Sequence, residues 1–177
     1  MGIQLIFVVE TNKKCNSDWI YIKDTIEHFY VYERTRVKLS VVYMNGKGNY
    51  NSKKKESEVK DLISQYSASS GNNQSKVIYC FDCDNYNSKA EDRKFLVEAE
   101  KYCADKGYDF VWFCKDIEQV YIGRKVEDSL KKKEAAIFKT KKLITNVDAY
   151  SLSSCNYRIN TSNIMNVLDQ YQELVRK

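Results

Sequence analysis

The apolar run Ile3–Val9, broken only by Gln4 and closed by Glu10, constrains this chain more than any other feature. It has the length of a strand, and its apolar side chains fall in both pleat registers. Neither face can then meet water, so the run belongs in the interior of a sheet covered on two sides. Val77 to Phe81 has the same character and leads into Asp82, Cys83 and Asp84. Two further strand patterns occupy Val37 to Tyr43 and Phe110 to Cys114. Helical spacing links Trp19, Ile22, Ile26, Phe29 and Tyr30, with Ser17 or Asp18 as the cap. Val59, Leu62 and Ile63 form a stripe within 54–64, and Phe95, Leu96, Ala99 and Tyr102 or Cys103 form another within 89–105. Strands alternating with helices predict an α/β fold: a mainly parallel, four-stranded central sheet with helices on both faces.

At 177 residues the chain can bury such a core as one domain, 1–177, without metals or disulfides. Ser67 to Gln74 reads as an exposed connection. Asp116 and Gln119 have the spacing of a capping box. Beyond Gly123, a basic amphipathic segment, Val126 to Phe138, and a stripe of Ile164, Leu168, Tyr171 and Val175 capped by Thr161 or Ser162 predict a helical C-terminal extension over 124–177. The chain has no proline, so helix ends carry no stop signal and their boundaries are loosely fixed.

The first apolar run lacks the basic leader and cleavage site of an export signal, and no stretch is long enough to span a bilayer, so the expected setting is the cytoplasm without a membrane partner. Six cysteines are then expected as free thiols. Cys80 and Cys83 make a CxxC with no second pair or spaced histidines to complete a zinc site. The net charge of +5 suits an anionic partner, and lysines cluster at 53–55, 131–133 and 139–142. Solvated helix faces are the plainer explanation of each cluster taken alone.

In a parallel sheet the loops beyond the carboxyl ends of the strands carry the chemistry. Glu10 follows the first strand there, and Asp82 and Asp84 follow the third. Two residues apart on extended backbone, the aspartates point to one side with Cα atoms ~6.5 Å apart, and Glu10 joins them if its strand is the neighbour at ~4.8 Å. Like charges so close resist joint ionisation, and a divalent cation compensates them. Carboxylates with retained water are the ligands that Mg2+ takes. A local turn in which Asp84 satisfies backbone donors is the structural alternative.

Three segments carry a resemblance: Leu5-Ile6-Phe7-Val8-Val9-Glu10, Ile78-Tyr79-Cys80-Phe81-Asp82-Cys83-Asp84, and Tyr108 to Glu118. In their order and spacing the chain resembles the Toprim-fold proteins, specifically the small stand-alone group allied to the RloB-like and OLD-type nucleases of bacterial defence and mobile elements. The resemblance runs to about Gly123. It implies magnesium-dependent cleavage or transfer at phosphodiesters, with Mn2+ as the alternative ion, supported by Glu10, Asp82 and Asp84 as ligands and catalytic groups. It also implies that Glu118 lies near the same site, where its alternative role is to complement a helix start. These relatives usually follow the glutamate with glycine and place another acid four positions later, whereas this chain has Thr11 and Lys14.

Lys13, Lys14, Lys131, Lys132, Lys133, Lys141 and Lys142 are the candidate phosphate or nucleic-acid contacts. His28, the only histidine, reads as a packed or surface residue of a helix. The loop Gly46-Lys47-Gly48 lacks the rest of a P-loop. The 14 tyrosines are dispersed in the way that packing, and not one stacking platform, distributes them. Three readings remain: a metal-dependent nuclease, a Toprim-like scaffold without chemistry that binds nucleic acid or completes a protein complex, and a small-anion or nucleotide binder using the same crevice. Fold alone does not choose between them, and the oligomeric state is open in all three.

Overall fold

A computed structural model describes residues 2–177. Its elements follow as β1 (Ile3–Val9), α1 (Ser17–Phe29), β2 (Tyr30–Val31), β3 (Val37–Tyr43), α2 (Lys53–Ser69), β4 (Gln74–Asp82), α3 (Ala90–Lys106), β5 (Asp109–Cys114), α4 (Ile117–Ile122), α5 (Lys131–Thr140), β6 (Thr161–Ser162), α6 (Ile164–Leu168) and β7 (Val175–Arg176). The main sheet has the order β3-β1-β4-β5-β6. Its first four strands are parallel, and β6 runs antiparallel to β5. The α/β class and the two-sided covering are as expected, but the sheet has five strands, not four.

All seven residues of β1 are buried, as an interior strand requires. Leu5, Phe7 and Val9 pack on one face with Tyr21, Ile22 and Ile26 of α1 and with residues of α4, α5 and α6. Ile6 and Val8 pack on the other with Val59 of α2 and Leu96, Ala99 and Cys103 of α3. The chain therefore leaves β1 for β3 on one side, then crosses to β4 on the other. Ligands bind at that kind of reversal in open α/β sheets, at the carboxyl ends of the strands. Cys80 and Cys83 fall in opposite cores, so the CxxC cannot chelate one ion.

Hydrogen bonds continue past the strand ends and fix the loops that carry the acids. Met44, Asn45 and Gly46 donate their N–H groups to the carbonyls of Val9, Thr11 and Glu10. Cys83 and Asp84 donate to Phe113 and Lys115. Helix ends also behave as the local chemistry predicts: Asp116 Oδ1 accepts from the Gln119 N–H at 2.7 Å, and Gly107 closes α3 with a φ of 67° that favours glycine.

The region after Gly123 corrects the expected helical extension. Thr161 and Ser162 form β6 and pair with Cys114 and Phe113, and Ser162 Oγ still accepts from the first helical N–H, of Ile164, at 3.1 Å. The last stripe yields only the short α6, after which the chain turns. Tyr171 is still buried, but Val175 lies in β7, 60% exposed and opposite Val31 of β2. Asp169 explains the turn: it accepts from Tyr30 Oη at 2.8 Å and pairs with Arg176, drawing the end of the chain back to β2. The connection expected over 67–74 is also shorter, because α2 runs to Ser69 and β4 begins at Gln74. Among the described residues, no helix is long and apolar enough to cross a membrane.

Candidate functional site

Glu10, at the end of β1, and Asp82, the last residue of β4, meet as their positions predict. Glu10 Oε1 accepts from the Asp82 N–H at 2.8 Å, and Asp82 Oδ1 accepts from the Ile117 N–H at 2.9 Å. Each carboxylate is held by one oxygen on backbone, and its second oxygen has no protein hydrogen bond among the described residues. Both line a cleft of about 390 Å³ together with Thr11, Asn12, Asp18 and Lys131.

Asp84 does not join them. Asp84 has a φ of 49°, which breaks the strand alternation, and its carboxylate is paired with Lys47, whose ammonium also lies 3.7 Å from Asp92. The two-residue spacing therefore places only one aspartate in the cleft. Asp18 takes the vacant acidic position instead. It is not the cap of α1, which starts one residue earlier from Asn16 without a side-chain cap. Its Oδ2 accepts from the Thr11 N–H at 3.0 Å, and it is 6% exposed. An acid in the first turn of the helix that follows Glu10 was the sequence signal for it.

Glu118 is fully buried, and neither oxygen has a hydrogen-bond donor in good geometry. Its one ion-pair partner among the described residues is Lys131 Nζ at 3.4 Å, which also reaches Asp128 at 3.5 Å. Lys131 is thus turned into the cleft as a countercharge, unlike the expected surface contact. Lys132, Lys133, Lys141 and Lys142 are exposed, as are Lys13 and Lys14. Lys13 borders a different groove beside Val41 to Tyr43. His28 packs edge-on against Phe29 at 4.6 Å in the last turn of α1 and has no part in the cleft.

Two buried acids, Asp18 and Glu118, and two half-buried ones, Glu10 and Asp82, crowd beside the Lys131 ammonium and hold their protons tightly. Burial, reinforced by Asp18 and Asp84, raises the Glu10 carboxyl to about 8 even though the Asp82 N–H opposes it. Burial raises Glu118 to about 7, with Lys131 opposing and Asp18 adding to the rise. Asp82 is driven well above the usual carboxylate range by burial and then by Glu10, Asp18 and Glu118. Burial also raises Asp18. For Lys131, burial acts to lower the ammonium, but Glu118, Asp82 and Asp18 outweigh it and raise its pKa.

Replacing Lys131 with methionine is expected to strand Glu118 and to cost ~1–3 kcal/mol at pH 8. The cost should shrink toward pH 6, where Glu118 takes up a proton; urea melts at the two pH values measure it.

Among the described residues, no group of three or more His, Cys, Asp or Glu side chains is arranged to hold a metal ion. The expected triad of ligands is accordingly not assembled. The donor set that is assembled, Glu10 and Asp82 with one free oxygen each, fits the other habit of Mg2+, which is one or two carboxylates with retained water and substrate phosphate. No family model, no curated protein and no solved structure matches the chain.

Proposed function

We propose that the chain is a cytoplasmic Toprim-like enzyme that uses Mg2+, or Mn2+ in its place, to cleave or transfer phosphodiesters of nucleic acid, in the manner of the nucleases of bacterial defence and mobile elements. The observation that carries this reading is the meeting of Glu10 and Asp82 in one cleft, each pinned by a backbone N–H and each keeping a free oxygen. Glu10 and Asp82 would hold the ion, whose chemistry there is charge for a phosphate oxygen and acidification of water. Glu118 orients Lys131 toward the phosphate.

One observation favours the second reading, a scaffold that binds nucleic acid or a protein partner without chemistry: Asp84 is already neutralised by Lys47. Calorimetry separates the two. Titrated with Mg2+ and Mn2+, the wild type should give saturable heat that is lost in the Glu10→Gln, Asp82→Asn double variant. Equal heats from both proteins would reject the metal site and leave the binding scaffold.

A further inference from the structure

Two of the tyrosines do gather, beside the loop that carries Asp84. Tyr86, on the loop after β4, and Tyr157, in the segment before β6, face a cavity of about 460 Å³ whose lining also includes Arg93, Val97 and Glu100 of α3. That volume lies in the range of small-ligand pockets. Its walls are built before any ligand arrives. Tyr86 Oη donates to the Tyr157 carbonyl at 2.9 Å, and the two ring centroids are 5.4 Å apart. Trp112 of β5 buttresses the Tyr157 ring at 4.8 Å in an edge-on contact.

Arg93 supplies the charge. Its Nε donates to the Tyr86 carbonyl at 3.1 Å, which fixes the guanidinium at the cavity. Its two terminal nitrogens have no hydrogen bond or ion pair among the described residues. We propose that this cavity is a base-stacking subsite for single-stranded nucleic acid, in which a nucleobase lies against Tyr157 while Arg93 takes a flanking phosphate.

Each part of the cavity matches one part of a nucleotide. Rings held by neighbours lose little freedom when a flat base stacks on them, and a planar guanidinium fork complements phosphate oxygens. Glu100, the carboxylate of the lining, repels phosphate but accepts from an exocyclic amine, which orients the base inward toward it. Asp82, in the cleft, and Tyr86 are four residues apart, so at most ~14 Å separates their Cα atoms, within reach of nearby nucleotides on one strand. The inference rests on the phosphodiester reading of the acidic cleft, yet binding is measurable without cleavage.

The test is fluorescence anisotropy in EDTA with a short fluorescein-labelled oligodeoxycytidine and its ribose counterpart, which separate DNA from RNA. Tyr157→Leu keeps an apolar side chain and removes the ring face. It should weaken binding of at least one oligomer by roughly 5- to 150-fold, the range that loss of one base–aromatic stack gives. Arg93→Ala and Val97→Glu should weaken it about 5-fold or more. Val97 is 62% exposed and Arg93 is also on the surface, so these two variants decide the matter if Tyr157→Leu does not fold.

Wild-type affinity in the folded variants, or no binding of either oligomer by the wild type, overturns the subsite. Divalent-dependent cleavage with unweakened binding in the variants removes the subsite and leaves the cleft reading standing. Variant-sensitive binding without cleavage does the reverse.

Discussion

Asp82→Asn is expected to reduce divalent-dependent cleavage by about 100-fold or more, because ~2.7 kcal/mol of transition-state stabilisation is a modest share of what a carboxylate-held ion supplies. The fold should survive. Asparagine retains the oxygen that accepts from the Ile117 N–H, so the contact between the end of β4 and the start of α4 persists. In EDTA the variant should melt at the wild-type temperature or above it, since Asp82 shares a buried cluster with Glu10, Asp18 and Glu118. Glu10→Gln should act alike, because Gln also accepts from the Asp82 N–H. Asp84→Asn should cost far less, as Asp84 serves Lys47 and lies outside the cleft lining. Gel assays on single-stranded and duplex DNA and RNA, with circular dichroism of each variant, check the series. Cleavage persisting in folded Asp82→Asn would reject the assignment.

The second large effect is a fall in thermal stability with rising pH in metal-free buffer. Glu10 and Glu118 keep their protons to about 8 and about 7 in the native protein, whereas the unfolded chain gives them up near 4.5. Through that window the native state binds more protons, so stability falls as pH rises and levels off above about 8. A loss of ~2 kcal/mol corresponds to about one and a half pKa units of differential proton affinity and lowers the midpoint of a chain this size by roughly 4–8 °C. Melts in EDTA between pH 5 and pH 8.5 should show it, Glu10→Gln should flatten it, and Mg2+ should reverse it at the alkaline end. A flat profile in the wild type would mean that the acids ionise freely and that the cleft is open to water.

The central strands are plain in the sequence because burial on two faces writes an uninterrupted apolar run, and Ile3–Val9 has no other reading. The fifth strand has no such mark. Thr161 and Ser162 are short and polar, and their place depends on Asn163, whose side chain accepts from the Trp112 N–H and donates to the Phe110 carbonyl, both at 2.9 Å. A side chain that imitates strand backbone leaves no periodicity to detect. The site was legible for the same reasons and to the same extent. Glu10 and Asp82 sit at strand ends that the apolar runs define. The pattern misplaces Asp84 because it extends the alternation two residues past the end of β4, where the backbone turns left-handed. Lys131 looked like one more lysine of a basic face, since its partner Glu118 lies thirteen positions earlier, across a turn no local pattern specifies.

The placement of β1 has a consequence for synthesis. The fully buried β1 lies ahead of both its partners, β3 and β4, and β4 ends only at Asp82. β1 therefore has only one of its two partner strands until β4 follows. The segment that closes the sheet, β6, and the ribbon of β2 with β7, which ends on the Lys177 N–H bonded to the Phe29 carbonyl, come later still. Until β4 follows, α1 and β3 cover one face and one edge of β1, and its other edge is left open, the kind of unpaired strand edge that makes a partly folded chain prone to aggregate.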